Sequence, residues 1–93
     1  MDKSELESFC RTLAEKLQQE NNDVEIVFVN QKDMWFNLTC SFYDVSNDTN
    51  IDLNSKVDID LNDTSETIEK RVIAEIKNLM AKKKDLEDKN AGV

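Results

Sequence analysis

Residues 34 to 62 read MWFNLTCSFYDVSNDTNIDLNSKVDIDLN, and the fold turns on how this stretch divides. Met34, Phe36, Leu38, Cys40 and Phe42 alternate with Trp35, Asn37, Thr39, Ser41 and Tyr43, the two-residue period of a strand with one buried face. The run DVSNDTN, residues 44 to 50, is rich in turn formers and interrupts that pattern. A second alternation then sets Ile51, Leu53, Val57, Ile59 and Leu61 against Asp52, Asn54, Lys56, Asp58, Asp60 and Asn62. If the connecting loop has an even number of residues, antiparallel pairing joins even positions before it to odd positions after it. Phe36, Leu38 and Cys40 then share a face with Val57, Leu53 and Ile51, so both strands bury the same side of one hairpin.

Upstream, VEIVFVN at residues 24 to 30 has the β-branched and aromatic content of a third strand, followed by the polar turn NQKD. Its register is open, because Val24, Ile26 and Phe28 compete with Val27 and Val29 for the inner face. In either case Trp35 shares the outer face with apolar side chains and forms a small exposed patch. Helices flank the strands. From Met1 to Glu20, Leu6, Phe9, Cys10, Leu13 and Leu17 recur at helical spacing; Ser4 with Glu7 makes a capping-box pattern that starts the helix near Ser4, and Asn21, Asn22 and Asp23 stop it. From Ser65 to Leu86, Ile68, Val72, Ile76, Leu79 and Met80 form one stripe with Ile73 beside it. Glu66 and Glu69 at its start and Lys82, Lys83 and Lys84 at its end suit the helix dipole. The expected fold is α+β: helix, three-stranded antiparallel meander sheet, helix, as a two-layer sandwich with both helices on the one apolar face. Residues 1–93 make a single domain, with an ordered core over about 4–86 and a flexible tail over 87–93.

Proline is absent and Gly92 is the only glycine, so tight turns fall to Asn and Asp. Cys10 and Cys40 lie on apolar faces and read as buried thiols of a reducing compartment. No apolar run is long enough to span a bilayer and residues 1–20 are too polar for a secretory signal, which makes the expected location cytoplasmic, the host cytoplasm if the chain is phage-encoded. There is no histidine, hence no zinc site of the usual Cys and His kind, no His-based triad and no imidazole acid–base group. A glycine-rich phosphate loop is likewise absent. Asp58 and Asp60 are paired carboxylates on an exposed strand, with no cleft to adapt them to acid–base work. No catalytic residue and no cofactor are expected, and the chain does not read as an enzyme.

The net charge is −8, and it is unevenly placed: residues 21 to 64 carry nine acids against Lys32 and Lys56, whereas residues 65 to 93 carry a slight basic excess. Asp44, Asp48, Asp52, Asp58, Asp60, Asp63 and Glu66 are expected to form one acidic band that binds a basic partner. Successive outward residues on a strand stand roughly 6–7 Å apart, close to the phosphate spacing of a nucleic-acid strand. Such a band suits a basic groove meant for DNA or RNA. The helix, three strands, helix order is also that of the double-stranded-RNA-binding domain, but direct nucleic-acid binding needs a basic face that Lys82, Lys83 and Lys84 are too few to supply. No membrane partner is expected.

Residues 58 to 69, DIDLNDTSETIE, place Asp58, Asp60, Asn62, the Thr64 carbonyl, Glu66 and Glu69 at the ligand positions of a calcium-binding EF-hand loop. Asp63 stands where the sharp-turn glycine belongs, Ser65 where an apolar residue belongs, and the preceding segment alternates as a strand. The better reading is a strand running into a helix capped by Asp63 or Thr64, with no metal; a degenerate calcium loop is the minor alternative.

In element order and charge the chain resembles small acidic phage anti-CRISPR proteins, which inhibit an RNA-guided nuclease by mimicking DNA; the likeness rests on Asp48, Asp52, Asp58, Asp60 and Asp63 as a negative surface. It implies an acidic inhibitor that blocks a nucleic-acid-binding protein or nuclease. The competing expectation is a non-enzymatic interaction module or homodimeric subunit that uses Trp35, Tyr43 and an apolar strand edge.

Overall fold

The computed structural model describes residues 1–91, apart from the side chains at 90 and 91. Helix α1 spans Lys3–Glu20, strands β1, β2 and β3 span Val24–Asn30, Met34–Asp44 and Thr49–Ile59, and helix α2 spans Ser65–Ala91. The sheet is an antiparallel meander in the order β1-β2-β3. Both helices lie on its apolar face, α1 mainly against β1 and α2 across β2 and β3, which is the expected two-layer α+β architecture.

The first hairpin closes over residues 31–33, with the Gln31 N–H donating to the Asp33 carbonyl at 3.1 Å. It pairs Val24 with Cys40, Ile26 with Leu38 and Phe28 with Phe36. A three-residue turn joins even positions to even positions, so Val24, Ile26 and Phe28 face inward and Val27 and Val29 outward. The second hairpin turns over residues 45–48, and Asp48 takes the left-handed conformation at φ 50° that a short polar side chain tolerates. Its even loop pairs Phe36 with Val57, Cys40 with Leu53 and Phe42 with Ile51, as the two alternations require.

Leu61 does not continue the inner face. β3 ends at Ile59, and the chain then turns: the Asp60 carboxylate accepts the Asn62 N–H at 2.8 Å, while the Asp63 carboxylate accepts the Asp60 N–H at 2.8 Å. Leu61, on this turn, is 53% exposed.

The core is one cluster. α1 contributes Leu6, Cys10, Leu13, Ala14 and Leu17, α2 contributes Ile68, Val72, Ile76 and Leu79, and the sheet contributes Val24, Ile26, Met34, Phe36, Leu38, Cys40, Val57 and Ile59. Met80 leaves the stripe because one residue past Leu79 turns it about 100° round the helix toward α1, where it is exposed. α1 begins before Ser4: Asp2, in extended conformation, is the cap and accepts the Glu5 N–H at 2.8 Å. α2 is capped by Thr64, whose hydroxyl accepts the Thr67 N–H at 3.2 Å. It runs beyond Leu86 to Ala91, since residues 87–91 contain no helix breaker and Lys89 pairs with Asp85 at 3.2 Å one turn back. Residues 92 and 93 of the expected tail lie outside the described residues. Among the described residues, no helix is long and apolar enough to cross a membrane.

Candidate binding face

With both helices on one side, no layer of the described residues covers the other face of the sheet. Its side chains stand in cross-strand rows set by the two registers: Val29, Trp35 and Asp58; Val27, Asn37 and Lys56; Glu25, Thr39 and Asn54; then Ser41 with Asp52 and Tyr43 with Asn50. Val27, Val29 and Trp35 make an apolar and aromatic corner near the β1–β2 turn, edged by Asn37, Lys56 and Asp58, and the rows farther along are polar apart from Tyr43. The Lys56 ammonium sits 4.4 Å from the centre of the Trp35 ring and 3.6 Å from the Asp58 carboxylate, so it bridges the aromatic corner to an acid. Thr39 donates to the Asn54 side-chain carbonyl at 3.0 Å and Ser41 donates to the Asp52 carboxylate. Tyr43 stands at the far end, 50% exposed.

The seven acids expected to form one band are dispersed. Asp44 does not face outward as expected: it is 6% exposed, because the even series of β2 carries it to the inner face, where its own turn closes over it. Its carboxylate accepts the Ser46 N–H at 3.0 Å and the Asn47 amide at 2.7 Å. Asp48 is at the hairpin tip. Asp52 and Asp58 do face outward on β3, but Asn54 and Lys56 stand between them, and six residues of strand separate them by roughly 20 Å. Asp60 and Asp63 belong to the turn into α2, not to the strand face. Asp63 receives both guanidinium nitrogens of Arg71, at 2.9 and 3.0 Å. The Arg71 bonds, with the Asp60 N–H adding to them, hold the Asp63 carboxyl below the usual carboxylate range. Glu66 pairs with Lys70 at 3.1 Å on the exposed side of α2.

The same arrangement disperses the EF-hand pattern. Asp58 meets Lys56, Asp60 holds its own turn, Thr64 caps α2, and Glu69 meets Lys16 at 3.4 Å. Among the described residues, no three acid, His or Cys side chains gather as a metal would require.

Three residues outside the expected set of site residues also matter. Glu25 adds an acid to the open face from β1. Lys56 is the base under Trp35. Gln18, half-buried on α1, reaches β1: its amide nitrogen donates to the carbonyls of Asn21 at 3.0 Å and Val24 at 2.9 Å, and its amide oxygen accepts the Ile26 N–H at 2.8 Å. A polar residue directly after Leu17 on the buried stripe is the only sequence signal for it. No family model, no curated protein and no solved structure matches the chain.

Proposed function

We propose that this protein binds rather than catalyses, and that it docks the cationic surface of a nucleic-acid-binding protein with the open face of its sheet. One observation carries the reading: a whole sheet face without a covering layer presents Trp35, Val27, Val29 and Tyr43 beside Glu25, Asp52 and Asp58, with Lys56 its one base. Aromatic anchors ringed by charge are the composition of an interface, and the net charge of −8 steers a basic partner toward it. The acids on this face are interrupted, so the partner is matched by a mixed aromatic and acidic surface rather than by a continuous row of phosphate-like charges.

The test begins with capture of partners at low salt and elution by steps of salt, and continues with each purified basic partner. Trp35→Ala should weaken binding by roughly 30-fold, the scale of an aromatic hot spot. Asp52→Asn with Asp58→Asn should slow association and flatten its salt dependence, and added nucleic acid should displace the protein. Partners that bind a variant carrying Trp35→Ala, Asp52→Asn and Asp58→Asn together as tightly as the wild type, or that nucleic acid does not displace, would sink the proposal.

A further inference from the structure

The two margins of the sheet are finished differently. On β1, one side-chain amide, that of Gln18, bonds both the Val24 carbonyl and the Ile26 N–H and stands where a neighbouring strand would stand. Even-numbered residues of β1 therefore turn their main-chain groups away from β2. Since these groups alternate along antiparallel strands, the two registers put the main-chain groups of even-numbered β3 residues on its outer margin as well. Two contacts agree with this: Arg71 donates to the Asp58 carbonyl at 3.3 Å, and the Asp63 carboxylate takes the Asp60 N–H at 2.8 Å. From Asp52 to Lys56, no side chain of the described residues bonds that margin. Exposed edge strands are ordinarily blunted by shortness, proline, a bulge or charged side chains, and of these β3 has only charges of both signs, Asp52, Lys56 and Asp58. β3 is 11 residues long, without proline, and it pairs with β2 without interruption.

We propose that β3 pairs antiparallel with β3 of a second copy about a two-fold axis at Asn54, which joins the two sheets into one. This register uses the whole strand, with Thr49 opposite Ile59, Ile51 opposite Val57 and Asp52 opposite Lys56. The acid–base pair forms twice by symmetry. An axis at Ser55 would instead set Asp52 against Asp58, a like-charge pair that opposes pairing, and an axis at Leu53 would leave residues 58 and 59 of each copy unpaired and set Lys56 against Asn50. α2 lies across β2 and β3, so joining the sheets brings the two copies of α2 to roughly 10 Å, a helix-packing distance. They would then cover Ile51 and Leu53, which are only half-buried in the single chain. The main-chain bonds of this contact run along a strand margin, while its Asp52–Lys56 pairs lie on the open face, so dimerisation is tested on the chain alone, without the partner proposed above.

Sedimentation velocity on the full chain alone, at about 0.15 M salt, tests it; screening at that strength reduces the repulsion between two acidic chains. A dimer is expected at micromolar concentrations. Lys56→Asp sets acid against acid twice and should weaken dimerisation at least about tenfold, while Asp52→Lys combined with Lys56→Asp should restore it. Asn54→Pro should give a folded monomer by circular dichroism, because it removes an outward N–H and leaves the β2 ladder intact. A wild type that is monomeric at about 100 μM, or a dimer unaffected by both Lys56→Asp and Asn54→Pro, would overturn the proposal.

Discussion

Replacing Gln18 with alanine removes three hydrogen bonds that tie the end of α1 to the start of β1, at 3.0, 2.9 and 2.8 Å. At a net of about 1 kcal/mol each, their loss comes to about 3 kcal/mol. Two effects reduce it. Gln18 is half-buried, so water reaches part of what is freed, and alanine is the better helix former with no side-chain entropy to lose. The expected destabilisation is about 2 kcal/mol, a substantial share of the roughly 5–14 kcal/mol that a domain of this size holds. With a urea slope of about 1–1.5 kcal/mol per molar, the midpoint should fall by roughly 1.3–2 M, followed by Trp35 fluorescence and by circular dichroism together. Amide exchange at Ile26 should quicken more than at Leu38. Gln18→Glu sharpens the test: its carboxylate keeps an acceptor for the Ile26 N–H but sets charge against two carbonyl oxygens. That variant should be at least as unstable at pH 7, and should recover as acid protonates the carboxyl and restores a donor. A Gln18→Ala change below about 0.5 kcal/mol, or a Gln18→Glu variant as stable as the wild type at pH 7, would refute the reasoning.

Phe36 is fully buried, 5.3 Å ring to ring from Phe28, and Phe36→Ala should destabilise the chain by about 3–5 kcal/mol in the same denaturation assay. Because Arg71 lowers the folded-state pKa of Asp63, that pair contributes fully above the ordinary carboxylate value near pH 4 and is lost as pH falls through the lower folded value; a Asp63→Asn variant, compared by acid titration of the denaturation midpoint, should show a shallower loss over that window. Burial pushes the Cys10 thiol up to about 11 and raises that of Cys40, where the nearby Lys83 charge opposes the shift. Both thiols should therefore resist a maleimide in native buffer at pH 7 and react promptly in urea, as mass spectrometry of the labelled chain would report.

The β2–β3 hairpin was legible because both strands alternate strictly and the parity of the loop then leaves one face to bury. β1 was legible as a strand but its inward face was not, because Ile26, Val27, Phe28 and Val29 are consecutive apolar residues that erase the period; the three-residue turn decides the register. Asp44 was misread as loop although the β2 alternation, carried one step further, already places it inside. The opposite error occurs at Asp60 and Leu61, where the pattern runs on past the strand and only the bonds from Asp60 and Asp63 end it. Arg71 and Asp63 lie eight residues apart across a turn, and no local pattern announces a bond that requires α2 to fold back beside β3.

The unlike margins of the sheet also set how many copies can join. A chain that offered a bare strand on both sides could add neighbours without end, the geometry of a fibril. Here Gln18 occupies the first half of one margin, so a pairing through β3 consumes the long open margin of each copy and turns the occupied ones outward. Stoichiometry would stop at two, and a glutamine that reads as an unremarkable helix residue would be what separates a finite particle from a polymer.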